Sequence, residues 1–191
     1  MIKELIRNAR SCRRFKEEPI TEELLRDMLE LARLSASASN LQPLKYILSC
    51  SKEMNNLIFP KLMWAAYLKN WEGPKEGERP SAYIMVLGDS EISKSFVCDH
   101  GIASQNILLG AAGMGLGACI IGSVNRKDLR EELKIPDHLE ILHVIALGKP
   151  GEKVVIEEVG QEGDVRYWRD EAGVHHVPKR ALNDIIVSIV P

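Results

Sequence analysis

The sequence predicts an α+β or α/β domain, because helix-spaced and strand-like apolar segments follow one another along the same 191 residues. Thr21 followed by Glu22 and Glu23 reads as an N-cap with acids in the first turn. Leu24, Met28, Leu31 and Ala32 then recur at helical spacing, so a helix is expected over 22–36. Short runs rich in strand formers at 46–50 and 83–87 read as buried strands, with two more at 118–121 and 142–147. Asn125 with Asp128 three positions on starts a short helix that Pro136 closes. The length fits a single domain over 1–191, large enough to bury a core without disulfides.

Composition narrows the function classes. Net charge is -2 with 27% charged residues of both signs, so no overall basic field draws in nucleic acid or an anionic membrane. The opening Met-Ile-Lys-Glu-Leu-Ile-Arg lacks the apolar core of a signal peptide, and no run has the length of a membrane span; a cytoplasmic protein is expected. Cys12, Cys50, Cys98 and Cys119 lie far apart, against both a disulfide scaffold and a zinc site. Cys50 and Cys119 fall in apolar runs and are expected to be buried. Cys12 is read as a spacer, although neighbouring arginines would activate an exposed thiol.

Four segments carry chemistry. The run 10–15 gathers Arg10, Ser11, Arg13 and Arg14; paired guanidinium groups and a hydroxyl suit a phosphate, while a solvated basic turn is the plain alternative. The run 37–43 places Ser37, Asn40 and Gln42 at a helix-to-strand corner. The run 102–117 is a small-residue helix leading into a strand that ends at Gly122. Its Gly-x-Gly follows a helix and precedes a strand, the inverse of the dinucleotide-binding order, so the small residues are read as a close-packing face. The fourth segment, His175-His176-Val177-Pro178-Lys179-Arg180, returns cations near the C-terminus. Adjacent strand histidines face opposite sides, so no metal site is expected there.

Taken in this order, the four segments resemble the nitroreductase family of flavoproteins from about Lys3 to about Ile186. Ala9 stands where many members carry another arginine, Ala36 where a proline is common, and Leu44 where an aromatic often follows Gln-Pro. The resemblance implies an α/β sandwich with a central, mostly antiparallel sheet flanked by helices, in an intertwined homodimer. It implies FMN held by Arg10, Ser11, Arg13, Lys179 and Arg180 at the phosphate, with Ser37, Asn40 and Gln42 of the opposite subunit at the ring and the Gly122 backbone near it. NADH or NADPH would reduce the flavin, which would reduce nitroaromatics, quinones or similar small acceptors in a ping-pong cycle without a side-chain nucleophile.

Residues 60–80 read either as a substrate lid, with Trp71 and Tyr67 as the contacts, or as a surface helix over about 60–70 followed by a loop; Trp64 is read as core. Residues 151–191 form an extension that contains a hairpin over 165–177 and ends in apolar residues. The resemblance has it embrace the partner subunit. A reductive dehalogenase or flavin-fragmenting enzyme of the same fold, a non-catalytic flavin sensor, and a nucleic-acid contact through the early arginines are the rival readings.

Overall fold

The computed structural model describes residues 2–190. Its centre is a five-stranded sheet built around β5 (Leu139–Pro150), whose neighbours are β3 (Ala82–Asp89) and β4 (Gly117–Ile121), with β2 (Leu44–Ser49) outside β3. The short β1 (Phe15–Lys16) pairs with the last residues of β5, Phe15 opposite Pro150. All of these pairings are antiparallel.

Both faces of the sheet are covered, so β3 reads as a continuous apolar strand, buried along its whole length. Ala82, Ile84 and Val86 face α2 (Glu22–Arg33) and α4 (Asp99–Gly113), packing with Leu25, Met28, Ala103 and Ile107. Tyr83, Met85 and Leu87 face the other way, onto the side formed by α3 (Lys52–Ile58) and α5 (Arg126–Leu133), with Ile58, Trp64 and Leu129. The expected sandwich is therefore present. Capping follows the sequence signals: Thr21 accepts from the Leu24 N–H at 3.2 Å, and Asn125 from the Asp128 N–H at 3.2 Å.

A bulge interrupts the β3–β5 ladder: Val86 opposes His143 but Leu87 opposes Ile141, leaving Leu142 extra. The carbonyls around it are not wasted, because the Arg126 guanidinium donates to Ile141 O, Leu142 O and Gly122 O at 2.8, 2.8 and 3.0 Å. The bulge also turns His143 toward α4, where its Nε2 meets Ser104 Oγ at 2.7 Å.

Several sequence expectations need adjusting. The first long helix ends at Arg33, three residues early, because Ser35, Ser37 and Gln42 turn the chain with side-chain and backbone bonds. No helix forms over 60–70. A short 3-10 turn, Phe59–Lys61, is followed by turns up to β3, and Leu62 bridges to Val124 instead. The small-residue face of α4 meets a helix of its own chain: a Cβ on Gly110 would collide with Leu31 of α2. Cys50 is exposed, since β2 stops one residue before it, while Cys119 is buried as expected.

The extension forms a separate three-stranded sheet, β6 (Val154–Glu158) parallel to β8 (His175–Lys179), with β7 (Trp168–Arg169) antiparallel to β8. A short helix α6 (Leu182–Ile185) follows, after α1 (Ile2–Asn8) the second terminal helix. Beyond it the apolar side chains have no cover: Val187 is fully exposed and Ile189 is 83% exposed.

Candidate functional site

The arginine run leaves α1 and lies beside β4. Ser11 forms a parallel bridge with Ala118, and the Cys12 N–H donates to Ala118 O at 2.9 Å. Gly117 gives the room, because a Cβ there would come within 2.7 Å of Cys12 Cβ. Burial, with Glu152 nearby, pushes the Cys12 thiol up to about 12, so it stays protonated and acts as a spacer.

Arg13 and Arg14 diverge. Arg14 Nε sits 3.5 Å from Glu78 Oε2. Arg13 turns to the C-terminal sheet: its Nη1 is 3.0 Å from His175 Nε2, and its guanidinium carbon lies 4.5 Å from the Tyr167 ring centre. Burial, reinforced by Arg13, lowers the His175 pKa to about 4, so the ring is neutral and can accept from the guanidinium. His176, on the opposite side of β8, stacks on Trp168 at 4.0 Å and meets Glu157 and Asp170 at 3.0 and 3.3 Å. Burial disfavours its charge, but those carboxylates outweigh it and raise the pKa. The two histidines thus serve different clusters.

Of the early cations only Arg7, ahead of the 10–14 run, shares a hollow with the closing pair. Arg7, Lys179 and Arg180 line one hollow of about 400 Å3, with Glu157 and Glu158 on its wall. Arg10 bends back to donate to Ile6 O at 2.7 Å, and its buried Nε has no partner among the described residues. Ser11 lies against the Cys119 thiol. Neither Arg10 nor Arg13 lines the hollow itself.

Ser37, Asn40 and Gln42 belong to another corner. Ser39, Asn40 and Gln42 all have left-handed φ (50°, 54° and 52°), a conformation that costs a non-glycine residue about 1–2 kcal/mol each. What holds the turn is buried Asp99, at the start of α4: it accepts from Ser37 Oγ at 2.6 Å and from the Ala38 N–H at 3.0 Å. Ser37 Oγ in turn accepts from the Gln42 N–H at 2.9 Å. Ser37 and Gln42 line a cavity of about 490 Å3 with Arg26, Arg33, Tyr46 and Asp99. Asn40 is exposed beside it.

Gly122 follows the last residue of β4 in the open; a Cβ there would meet nothing within 4 Å among the described residues, while its carbonyl is held by Arg126. Trp71 is half-buried under Arg169, whose guanidinium carbon is 4.9 Å from its ring centre. Tyr67 is exposed and lies 5.0 Å from the Tyr167 ring. Trp64 is core, as read from the sequence. Asp89, Glu91 and His138 bring ligand-type atoms within 4.8 Å of one another; the Glu91 N–H donates to Asp89 at 3.0 Å, and Ser90 N–H and Oγ both donate to His138 O at 2.8 Å, so the turn's own bonds draw the three together.

Asp99, Arg126, Glu152 and Tyr167 were not singled out by sequence reasoning. Each acts through a partner 15 or more positions away, and only an Asp at a helix start had a local signal.

Among the described residues no helix is long and apolar enough to cross a membrane. The family model described as the Nitroreductase family matches residues 6–79 and 77–149. An Archaeoglobus fulgidus protein provisionally named NADH dehydrogenase/NAD(P)H nitroreductase is 31% identical over 154 residues, 76% of this chain and 83% of that protein. A Methanothermobacter thermautotrophicus protein of the same provisional name is 34% identical, over 78% of this chain and 77% of its own. Among solved structures, a Parabacteroides distasonis protein of that provisional name superposes with a TM-score of 0.67 at 26% identity, covering 88% of this chain and 96% of that one. The Vibrio harveyi NADPH:FMN oxidoreductase complexed with NAD+ gives 0.62 at 25% identity, covering 78% and 68%.

Proposed function

Since this chain belongs to the nitroreductase family, we propose that it works as an FMN-dependent oxidoreductase, taking hydride from NADH or NADPH and reducing small conjugated acceptors such as nitroaromatics or quinones. The observation that carries the reading is the meeting of the two chain ends: Arg7, Lys179 and Arg180 share one hollow, and Arg13 contacts the strand on which Lys179 lies.

The residue types near the two chain ends support this reading. Several guanidinium and ammonium groups suit a dianionic phosphate, and the partnerless buried Nε of Arg10 is a donor in want of an acceptor. Arg10, Ser11, Arg13, Lys179 and Arg180 would hold the phosphate end. When bound, the flavin supplies reversible redox chemistry that donor and acceptor use in turn. Gly122 keeps its space free of side chain, and Arg126 fixes the carbonyl beside it, so a flat ring can approach the backbone there. Tyr67 and Trp71 would contact the acceptor.

Ser37 and Gln42 line a different cavity of the same chain from the cationic hollow. A site that needs both sets is completed by a second copy, with the 37–42 turn of one subunit reading the ring bound to the other. The amides of Asn40 and Gln42 offer both donors and acceptors for that purpose. The uncovered apolar tail and the unpaired outer edge of β2 supply surface for such a homodimer.

The deciding measurement is the absorbance spectrum of the purified protein before and after anaerobic NADH and NADPH. A flavin spectrum bleached by either donor is expected; a colourless protein that takes up no added FMN refutes the proposal.

A further inference from the structure

Glu152 carries the least exposed carboxylate of any ion pair among the described residues, its side chain 1% exposed, and it sits against the arginine run. Its Oε1 accepts from two consecutive backbone N–H groups, Arg13 at 2.5 Å and Arg14 at 3.2 Å, while Oε2 accepts from Arg169 Nη2 at 2.7 Å. Burying a carboxylate is costly unless donors replace its water, and here three do. The approach is tight: a Cβ on the preceding Gly151 would come within 3.0 Å of three Phe15 backbone atoms, and the Gly151 N–H donates to Arg14 O at 2.8 Å.

We propose that Glu152 is the positioning residue of the phosphate seat: by pinning the Arg13 and Arg14 amides it fixes the direction in which the Arg13 guanidinium leaves the backbone. The consequence is visible in the side chains, Arg13 directed to Tyr167 and His175 and Arg14 to Glu78. Through Arg169, which lies over Trp71, the same carboxylate ties the 62–81 segment to the seat. The inference rests on the proposed flavin function and adds to it a residue that acts through Arg13.

A plain electrostatic view predicts the opposite sign. Removing a negative charge close to a phosphate site should tighten FMN, whereas losing the pin should loosen it. Riboflavin, which lacks the phosphate, separates a positioning role from general structural damage. The experiment titrates full-length protein stripped of flavin, wild type, Glu152→Ala and Glu152→Gln, with FMN and with riboflavin, following flavin fluorescence.

Glu152→Ala is expected to weaken FMN by roughly tenfold or more, the scale of one lost charge-assisted contact, with riboflavin affinity unchanged. Glu152→Gln should fall between, since its amide oxygen still accepts from both N–H groups but loses the charge pair with Arg169. If the alanine variant does not fold, the glutamine variant carries the same comparison. Tighter FMN binding, equal losses for the two flavins, or unchanged FMN affinity in the variants would each overturn the role of Glu152 while leaving the flavin function standing. A wild type that binds neither flavin overturns that function, and this inference with it.

Discussion

Arg13 Nη1 lies 3.0 Å from His175 Nε2, joining residues 162 positions apart and bringing the two ends of the chain to one place. Replacing Arg13 with alanine is expected to weaken FMN retention by about 1.5 to 3 kcal/mol, the range for a hydrogen bond to a charged group. Gel filtration followed by the flavin-to-protein absorbance ratio measures it. Unchanged retention removes Arg13 from the site.

Gly122 gives a cleaner separation of folding from binding. Its φ is not left-handed and its Cβ direction is open, so Gly122→Leu should shift stability by less than about 0.5 kcal/mol. If a flavin ring occupies that space, the variant should unfold like flavin-free wild type yet be colourless. A yellow variant of wild-type stability places the ring elsewhere.

Ser37 is held inside its own chain by Asp99 and the Gln42 N–H. Ser37→Ala leaves the buried Asp99 short of one donor and the Gln42 N–H without its acceptor, a loss on the order of 1–3 kcal/mol. Urea unfolding should report it. A midpoint equal to wild type would mean that the turn is not stabilised by this bond.

Two buried histidines set a pH dependence. Burial, helped by His100 and Arg126, lowers the His143 pKa from 6.5 to about 4, and burial with Arg13 does the same for His175. Between about pH 6.5 and pH 4 the unfolded chain takes up protons that the folded chain refuses, so stability is fully present above 6.5 and declines as pH falls toward 4, on the order of 1–3 kcal/mol per group. His176, raised by Glu157 and Asp170, runs the other way: its contribution is present below 6.5 and fades as pH rises. His143→Gln, which can keep a bond to Ser104, should flatten the slope of unfolding free energy between pH 7 and pH 4.5. An unchanged slope would assign the acid sensitivity to other groups.

The apolar tail predicts its own partner. Val187, Ile189 and Val190 are exposed in the single chain, so sedimentation should show a dimer, and a chain ending after Arg180 should dissociate more readily. A wild-type monomer that retains flavin would break the two-subunit pocket.

The sequence by itself determined the main elements. Apolar periodicity marked α2 and the four long strands to within a few residues, because burial on one face or both writes directly into residue order. It also marked the cationic ends, since charge is a property of the residue type. Tertiary structure alone decided how those residues are used. The bulge at Leu142 that sends His143 to Ser104, the burial that silences Cys12, and the exposure of Cys50 depend on strand register and strand length. Glu152 looks like one acid among many in a polar stretch; only the return of the chain after β5 sets it on the Arg13 and Arg14 amides. Hydrogen bonds between distant residues leave no local pattern to read, whereas hydrophobic burial does.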